Sequence, residues 1–331
     1  MDVRVIDDGI TWNEYAQGFG AHPLQLSQWG LLKSQTGPWR QVFLAVSEEG
    51  EDVGGAQVLV RRMPFPFRET CYAPRGPFAR EGRLEEVAEA VAAWCRENTH
   101  GVSVKVDPAV TELALDASWR ESEQVLLGKT AALDLTRPVD QIMAGIPNRK
   151  CRQYIRKAER DGVVVRPATS DDLPAILALY HETAEADGFA LHEDHFYEQA
   201  FQTLEGIQQV FVAERDGDVH AFLWNVTSRG GTTFELWGAV SEAGKRSRAN
   251  YYLKWVAMQA AKEAGARLYD LNGLLNDGIS DFKLLFVPEP CVWAPTHDKP
   301  LRATYGLMNA ALGLRRAMNS RKSTQADTSQ S

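Results

Sequence analysis

The chain has 331 residues, 44% of them apolar and 24% charged, with 36 Lys plus Arg against 44 Asp plus Glu. That mix excludes a collagen, a coiled-coil rod and a wholly disordered chain, and the length suits roughly two domains. A net charge of −8 also argues against nucleic-acid binding over the whole surface, though a local basic patch stays open.

From the N-terminus, Asp2, Asp7 and Asp8 stand where a signal peptide would place basic residues and an apolar run. No apolar stretch is long enough to span a membrane. The four cysteines, Cys71, Cys95, Cys151 and Cys291, form no C-x-x-C pair, which disfavours zinc and thioredoxin-like motifs. The expected compartment is therefore the cytoplasm, with no bound metal. Val42–Val46 and Ala56–Val60 flank an acidic turn and read as a β-hairpin. A strand at Thr70–Ala73 follows. A helix then places Leu84, Val87, Ala88, Val91, Ala92 and Cys95 on one stripe, and a strand follows at Val102–Val106.

Thr136 reads as an N-cap with Pro138 in the first turn, and Pro147 opens a second helix ending near Gly162. A strand at Val163–Arg166 precedes a helix with Leu173, Ile176, Leu177 and Tyr180 on its stripe. The first pattern then returns. It comprises a hairpin of Val210–Glu214 and Ala221–Val226, a strand at Thr233–Trp237, a helix carrying Leu253, Val256, Ala257, Ala260 and Ala264, Gly265 at its C′ position, and a strand at Arg267–Leu271. The order matches a GNAT-type acyltransferase core. The fold class is therefore α/β, two tandem GNAT-like domains with mixed sheets. The expected division is 1–135 for the first domain, completed by 296–318, then 136–295 for the second. Asn319–Ser331, almost without apolar residues, is expected to be a disordered tail.

Six ordered blocks carry a family resemblance. They are Leu24-Gln25-Leu26-Ser27-Gln28-Trp29-Gly30 with Lys33, Tyr72-Ala73-Pro74-Arg75-Gly76-Pro77, Lys105-Val106-Asp107-Pro108, the basic run Asn148–Gly162, Tyr252–Trp255 with Tyr269–Gly273, and Gly278-Ile279 followed by Phe282, Lys283 and Phe286. Together they resemble the FemABX family of tRNA-dependent peptidoglycan aminoacyltransferases. The resemblance implies two GNAT-like domains, with the C-terminal end of the chain returning to the first. It implies transfer of an amino acid from aminoacyl-tRNA to an amine of the peptidoglycan precursor stem peptide. The precursor would be lipid II or UDP-MurNAc-pentapeptide, and no cofactor is implied. Three departures stand out. There is no room for the long helical arm of some members. Val287 follows Phe286 where the family continues Phe-Gly. His192 and Phe196 fall where a basic residue and an aromatic are thought to hold acceptor phosphates.

Aminolysis of an ester needs a group to hold or deprotonate the amine and positive charge where the oxyanion or leaving oxygen develops. Lys283, set between Phe282 and Phe286, is the candidate cation; otherwise it is a lysine snorkelling from a helix. Asp107, at a strand end, either orients the amine or caps the following turn. Lys33, after an expected cap at Ser27, and Arg75 are candidates for acceptor phosphates, with His192 and Phe196; a solvated lysine and a turn arginine are the alternatives. Arg149, Arg152, Arg156 and Arg160 share one helix face and are candidates for the tRNA backbone. With Lys150, Lys157 and Glu159 they make a +5 block on a −13 remainder. Arg315, Arg316, Arg321 and Lys322 are expected to allow peripheral contact with an anionic membrane surface.

The coenzyme-A loop of GNAT enzymes is missing after both central strands. An acyl-CoA-dependent N-acyltransferase remains an alternative, as does a non-catalytic protein that binds tRNA or precursor.

Overall fold

A computed structural model describes residues 1–275 and 277–313. The tail at 319–331, the end of the 296–318 segment and the four basic residues from Arg315 to Lys322 lie outside the described residues.

The first half runs β1 (Asp2–Ile6), α1 (Gly9–Gly18), α2 (Ser27–Thr36), β2 (Trp39–Glu48), β3 (Glu51–Arg62), β4 (Glu69–Ala73), β5 (Phe78–Ala79), α3 (Leu84–Asn98), β6 (Gly101–Val106) and β7 (Arg120–Glu121). The second runs β8 (Lys129–Asp134), α4 (Val139–Gly145), α5 (Arg149–Arg160), β9 (Val164–Pro167), α6 (Leu173–Asp187), α7 (Asp194–Thr203), β10 (Gln208–Arg215), β11 (Asp218–Thr227), β12 (Thr232–Val240), α8 (Glu242–Ser247), α9 (Ala249–Glu263), β13 (Leu268–Gly273), α10 (Gly278–Leu284) and β14 (Cys291–Val292). Then β15 (His297–Pro300) is followed by helix at 305–313.

The first sheet has the order β1-β2-β3-β4-β6-β15-β7, with β5 beside β3, and the second β14-β8-β13-β12-β11-β10-β9. Each holds one parallel pair, β4 with β6 and β12 with β13, inside otherwise antiparallel pairing. Both parallel pairs are joined by a crossover helix, α3 and α9, as parallel strands require. The mixed α/β sheets and the repeated order are those expected from the sequence.

Strand exchange ties the halves together. β15, from the end of the described chain, pairs with β6 of the first sheet, and β8 pairs with β13 of the second. The expected boundary at 135 thus falls just past a strand of the second sheet. A shared core adds to this. Trp12, Leu24, Leu26, Leu32 and Phe43 of the first half pack with Ile176, Tyr180, Phe196, Phe222 and Trp224 of the second. A separate core lies on the other face of the second sheet, where α5 and α9 bury Cys151, Ile155, Ala158, Leu253, Ala257 and Met258.

Two caps differ from the sequence reading. Thr136 does not cap α4. The Asp134 carboxylate accepts both its N–H and its hydroxyl, and the helix starts after Pro138. Ser27 is the first residue of α2 rather than its cap, which is Leu26; the Ser27 N–H donates to Asn13 Oδ1.

Candidate active site at the strand opening of the second sheet

Pairing of β12 with β13 ends at Phe234 and Asp270, and beyond it the strands diverge. At the same level β12 bulges: Trp237 and Glu235 pair with the consecutive Trp224 and Asn225 of β11, which leaves Leu236 as the extra residue. The gap is bridged by one side chain: Asn272 Nδ2 donates to the Glu235 carbonyl at 2.9 Å. Asn272 holds φ at +63°, a left-handed conformation that asparagine tolerates better than most residues. This turn aims the carbonyls of Asn272 and Gly273 at Lys283 of α10, whose Nζ lies 3.4 and 2.9 Å from them.

Lys283 forms no ion pair with any described residue. The nearby carboxylate of Glu235 is taken by Lys254, at 2.6 and 2.8 Å, in a buried pair. Burial holds the Lys283 ammonium below the ordinary lysine range. Glu235, Asp270 and Asp277 pull it back up, and Lys254 pushes it further down. On the same helix Phe282 packs edge-on against Tyr251 and Phe286, 4.9 and 5.3 Å away, with the Lys254 ammonium 5.8 Å from the Phe282 ring. The result is a desolvated cation with carbonyl partners only, the kind of group that acts strongly on a developing oxyanion.

On one face of this opening, α2 of the first half meets α7 of the second. Here Lys33, His192 and Phe196 come together. The Lys33 ammonium sits 4.6 Å from the Trp29 ring centroid and 5.7 Å from that of Phe196. His192 stacks on Phe196 at 4.0 Å. Burial lowers the pKa of Lys33; burial and then the Lys33 charge lower that of His192. Two nitrogen groups share a corner with no carboxylate paired to Lys33 among the described residues, an arrangement suited to an anion. Trp237 of β12 closes the corner, 5.9 Å from Phe196.

On the opposite face lie α9 and the basic helix α5. Asn148 caps α5, accepting the Cys151 N–H, so the helix opens at Arg149, two residues after the expected Pro147. Arg149, Arg156 and Arg160 are exposed and form no ion pair among the described residues. Arg152 differs: it is half-buried and donates to the Ile146 carbonyl, bracing the turn between α4 and α5.

Arg75 and Asp107 form a fourth group, buried at the junction of the halves. Asp107 is 1% exposed and accepts from the Tyr72 hydroxyl at 2.8 Å and the Arg75 N–H at 2.7 Å. Burial pushes its carboxyl up to about 6, against the pull of Arg75 and Tyr72. Arg75 as a residue is 3% exposed, and its guanidinium donates to the Leu127 carbonyl at 2.9 Å. Leu127 fills the space beside Gly273, where a Cβ would meet its Cδ1 at 2.3 Å. Arg75 therefore reaches the Lys283 site through Leu127 and Gly273, from inside the protein. Asp270 links the two groups electrostatically; its carboxylate accepts from Thr130, the Asn272 N–H and, at 3.4 Å, the Trp293 indole.

The sequence reading gave no role to Glu235, Lys254, Asn272, Asp270 or Trp237, although Lys254, Asp270 and Asn272 stand in its family blocks. One signal was present: Lys254 and Glu235 are charges inside apolar helix and strand runs, which calls for a buried partner. Among the described residues no group of His, Cys, Asp and Glu is placed to hold a metal ion, and no helix is long and apolar enough to cross a membrane.

A sequence profile described as Acetyltransferase (GNAT) domain matches residues 148–284, the half that carries the opening. The lipid II:glycine glycyltransferase of Staphylococcus saprophyticus is 27% identical over 225 residues, 61% of this chain and 52% of that protein. The Staphylococcus aureus protein of the same name is 25% identical over 237 residues, 65% and 53% of the two chains. The chain spans about half the length of the curated relatives it matches. Among solved structures, FemX matches with a TM-score of 0.78 at 19% identity, covering 91% of this chain and 97% of its own. L-PGS from Bacillus licheniformis matches with a TM-score of 0.52 at 16% identity, covering 91% and 94%. The structural likenesses give the fold, and the sequence relatives bear out the Fem resemblance.

Proposed function

We propose, on the premise that this chain is Fem-type in sequence and fold, that it is an aminoacyltransferase. It would move an amino acid from aminoacyl-tRNA to an amine of the peptidoglycan precursor stem peptide. The observation that carries this reading is Lys283, an unpaired, desolvated ammonium at an opening with one anion-suited corner on one face and an exposed basic helix on the other. The acceptor's phosphates would sit at Lys33 and His192, flanked by Phe196. The tRNA acceptor arm would lie along Arg149, Arg156 and Arg160, with Arg152 holding their helix in place. The names of the sequence relatives, lipid II:glycine glycyltransferases, support this class of acceptor.

The amine attacks the ester carbonyl, and the carbonyl oxygen takes up negative charge. The intermediate collapses with loss of the ribose oxygen, which leaves with a proton that began on the amine. Lys283 donates to the oxygen that carries the charge. Burial lowers its pKa and so strengthens it as a donor, and the two backbone carbonyls fix its direction. Asp107 and Arg75 act from beneath, as positioning residues for Gly273 and hence for Lys283.

The test is transfer of a radiolabelled amino acid from a full set of charged tRNAs to lipid-linked and UDP-linked precursors. Product on either acceptor is expected. No transfer to either, by protein that is folded, rejects the reading.

A further inference from the structure

The loop joining β3 to β4 reads Arg61-Arg62-Met63-Pro64-Phe65-Pro66-Phe67-Arg68, and no site described above uses it. Its tip, Phe65, is 92% exposed, the most exposed large apolar side chain among the described residues. The loop is nevertheless closed and anchored. The Met63 N–H donates to the Arg68 carbonyl at 2.7 Å and the Phe67 N–H to the Pro64 carbonyl at 3.0 Å. Phe67 packs against the cluster of Val102, Tyr305 and Met308, which fixes the base of the loop while its tip projects.

The surroundings are cationic. Arg61, Arg62 and Arg68 are exposed and form no ion pair among the described residues. The acid beside them, Glu69, is engaged by Arg40 at 3.5 Å and by the His100 N–H at 2.7 Å. Arg61 lies over the Trp39 ring at 5.4 Å. At the base of the loop Pro38, Trp39, Arg40, Val60 and Arg62 line a cleft of about 260 Å³, wide enough for a phosphate group.

We propose that this loop is a membrane-docking tip: Phe65 enters the interfacial zone of an anionic bilayer while Arg61, Arg62 and Arg68 meet lipid phosphates. Aromatic rings favour that zone, and each basic residue near an anionic leaflet strengthens binding. The body of the chain is acidic, so an anionic surface repels it and selects this face. A nucleic-acid backbone would use the arginines but not a projecting, proline-flanked phenylalanine. Docking itself stands apart from the transfer reading. The consequence that a lipid-anchored acceptor is used better than a water-soluble one rests on it.

The test is flotation of the full chain with vesicles of phosphatidylcholine alone and of phosphatidylcholine mixed with phosphatidylglycerol. Binding to the anionic vesicles is expected, falling as salt rises. Phe65→Ser should weaken it roughly tenfold, and replacing Arg61, Arg62 and Arg68 by Gln about a hundredfold, with unchanged circular dichroism and Tm. The inference is overturned if the folded wild type ignores anionic vesicles or if Phe65→Ser binds them as tightly. It is also overturned if Phe65→Ser abolishes a dimer or an RNA complex while vesicle binding persists. If vesicle binding depends on Phe65 but no charged tRNA supports transfer, docking holds and the transfer reading fails.

Discussion

In the first sheet β4 and β6 part after Ala73 and Val106; in the second β12 and β13 part after Phe234 and Asp270. These are equivalent places in the two repeats, and they are filled differently. In the first, the Asp107 N–H donates to the Gly76 carbonyl at 3.2 Å and its carboxylate accepts the Arg75 N–H, so backbone spans the gap. Gln25 packs beneath Gly76, where an added Cβ would lie 2.6 Å from its amide carbon. In the second, a lone asparagine side chain spans the gap, and a buried Lys254–Glu235 pair leaves Lys283 with carbonyl partners. The two openings of the repeated fold thus differ: backbone closes the first, the second stays open beside Lys283, and the first touches the second through Leu127.

The largest expected effect comes from breaking the pair that keeps the second opening free. Lys254→Met leaves Glu235 buried and unpaired, which should cost about 3–5 kcal/mol of stability. Adding Glu235→Gln should restore most of it, since no bare charge then remains. Thermal denaturation of the single and double variants checks this; equal Tm values for the two would mean that the pair is not electrostatically isolated.

Lys283→Ala tests the chemistry without touching the pair. Loss of one donor to a developing oxyanion typically costs a hundred- to a thousandfold in turnover, and the Tm should stay within a few degrees because Lys283 is held only by two carbonyl contacts. Turnover that survives would move the reaction away from this opening.

The first opening can be sharpened by pH. Asp107 titrates near 3.8 in an unfolded chain and at about 6 here, because burial disfavours its charge. The folded protein therefore holds a proton that the unfolded one releases, and stability falls as pH rises between those values, by about 3 kcal/mol in all. Asp107→Asn lacks this loss, so its Tm should gain on the wild type from pH 4 to pH 7. A constant difference across that range would place the carboxylate in a more polar setting than its burial implies.

Much of this was legible from local pattern. Both hairpins, both crossover helices and the amphipathic α5 follow from alternation, helical stripes and turn residues. What stayed hidden depends on distant partners. β8 and β15 find their places by pairing across the repeat, which no local window encodes. Lys254 and Glu235 stand 19 residues apart and each looks like an error in its own element until they meet. Lys33 was named from a family block and His192 and Phe196 as a departure from the family, while their meeting at one corner comes from α2 packing on α7. Asp107 was legible at a strand end and Arg75 in a turn, but their burial against each other was not, because it depends on how the halves close.

That corner carries the smallest predicted effect and the most direct contrast with the closed opening. Lys33 is the fixed cation there, and Lys33→Ala should raise the acceptor KM about tenfold with kcat retained, as loss of one charge-assisted contact does. His192 is the variable one. Burial and Lys33 lower its pKa below the ordinary 6.5, so it is neutral at pH 7 and gains charge only in acid. The acceptor KM should therefore fall as pH drops through that range. His192→Arg should give the low KM at neutral pH and abolish the dependence, because a guanidinium does not titrate there. If the slope survives in His192→Arg, the titrating group is not His192 but the acceptor or another protein group such as Asp107, and the corner holds the acceptor through Lys33 and the aromatic rings alone.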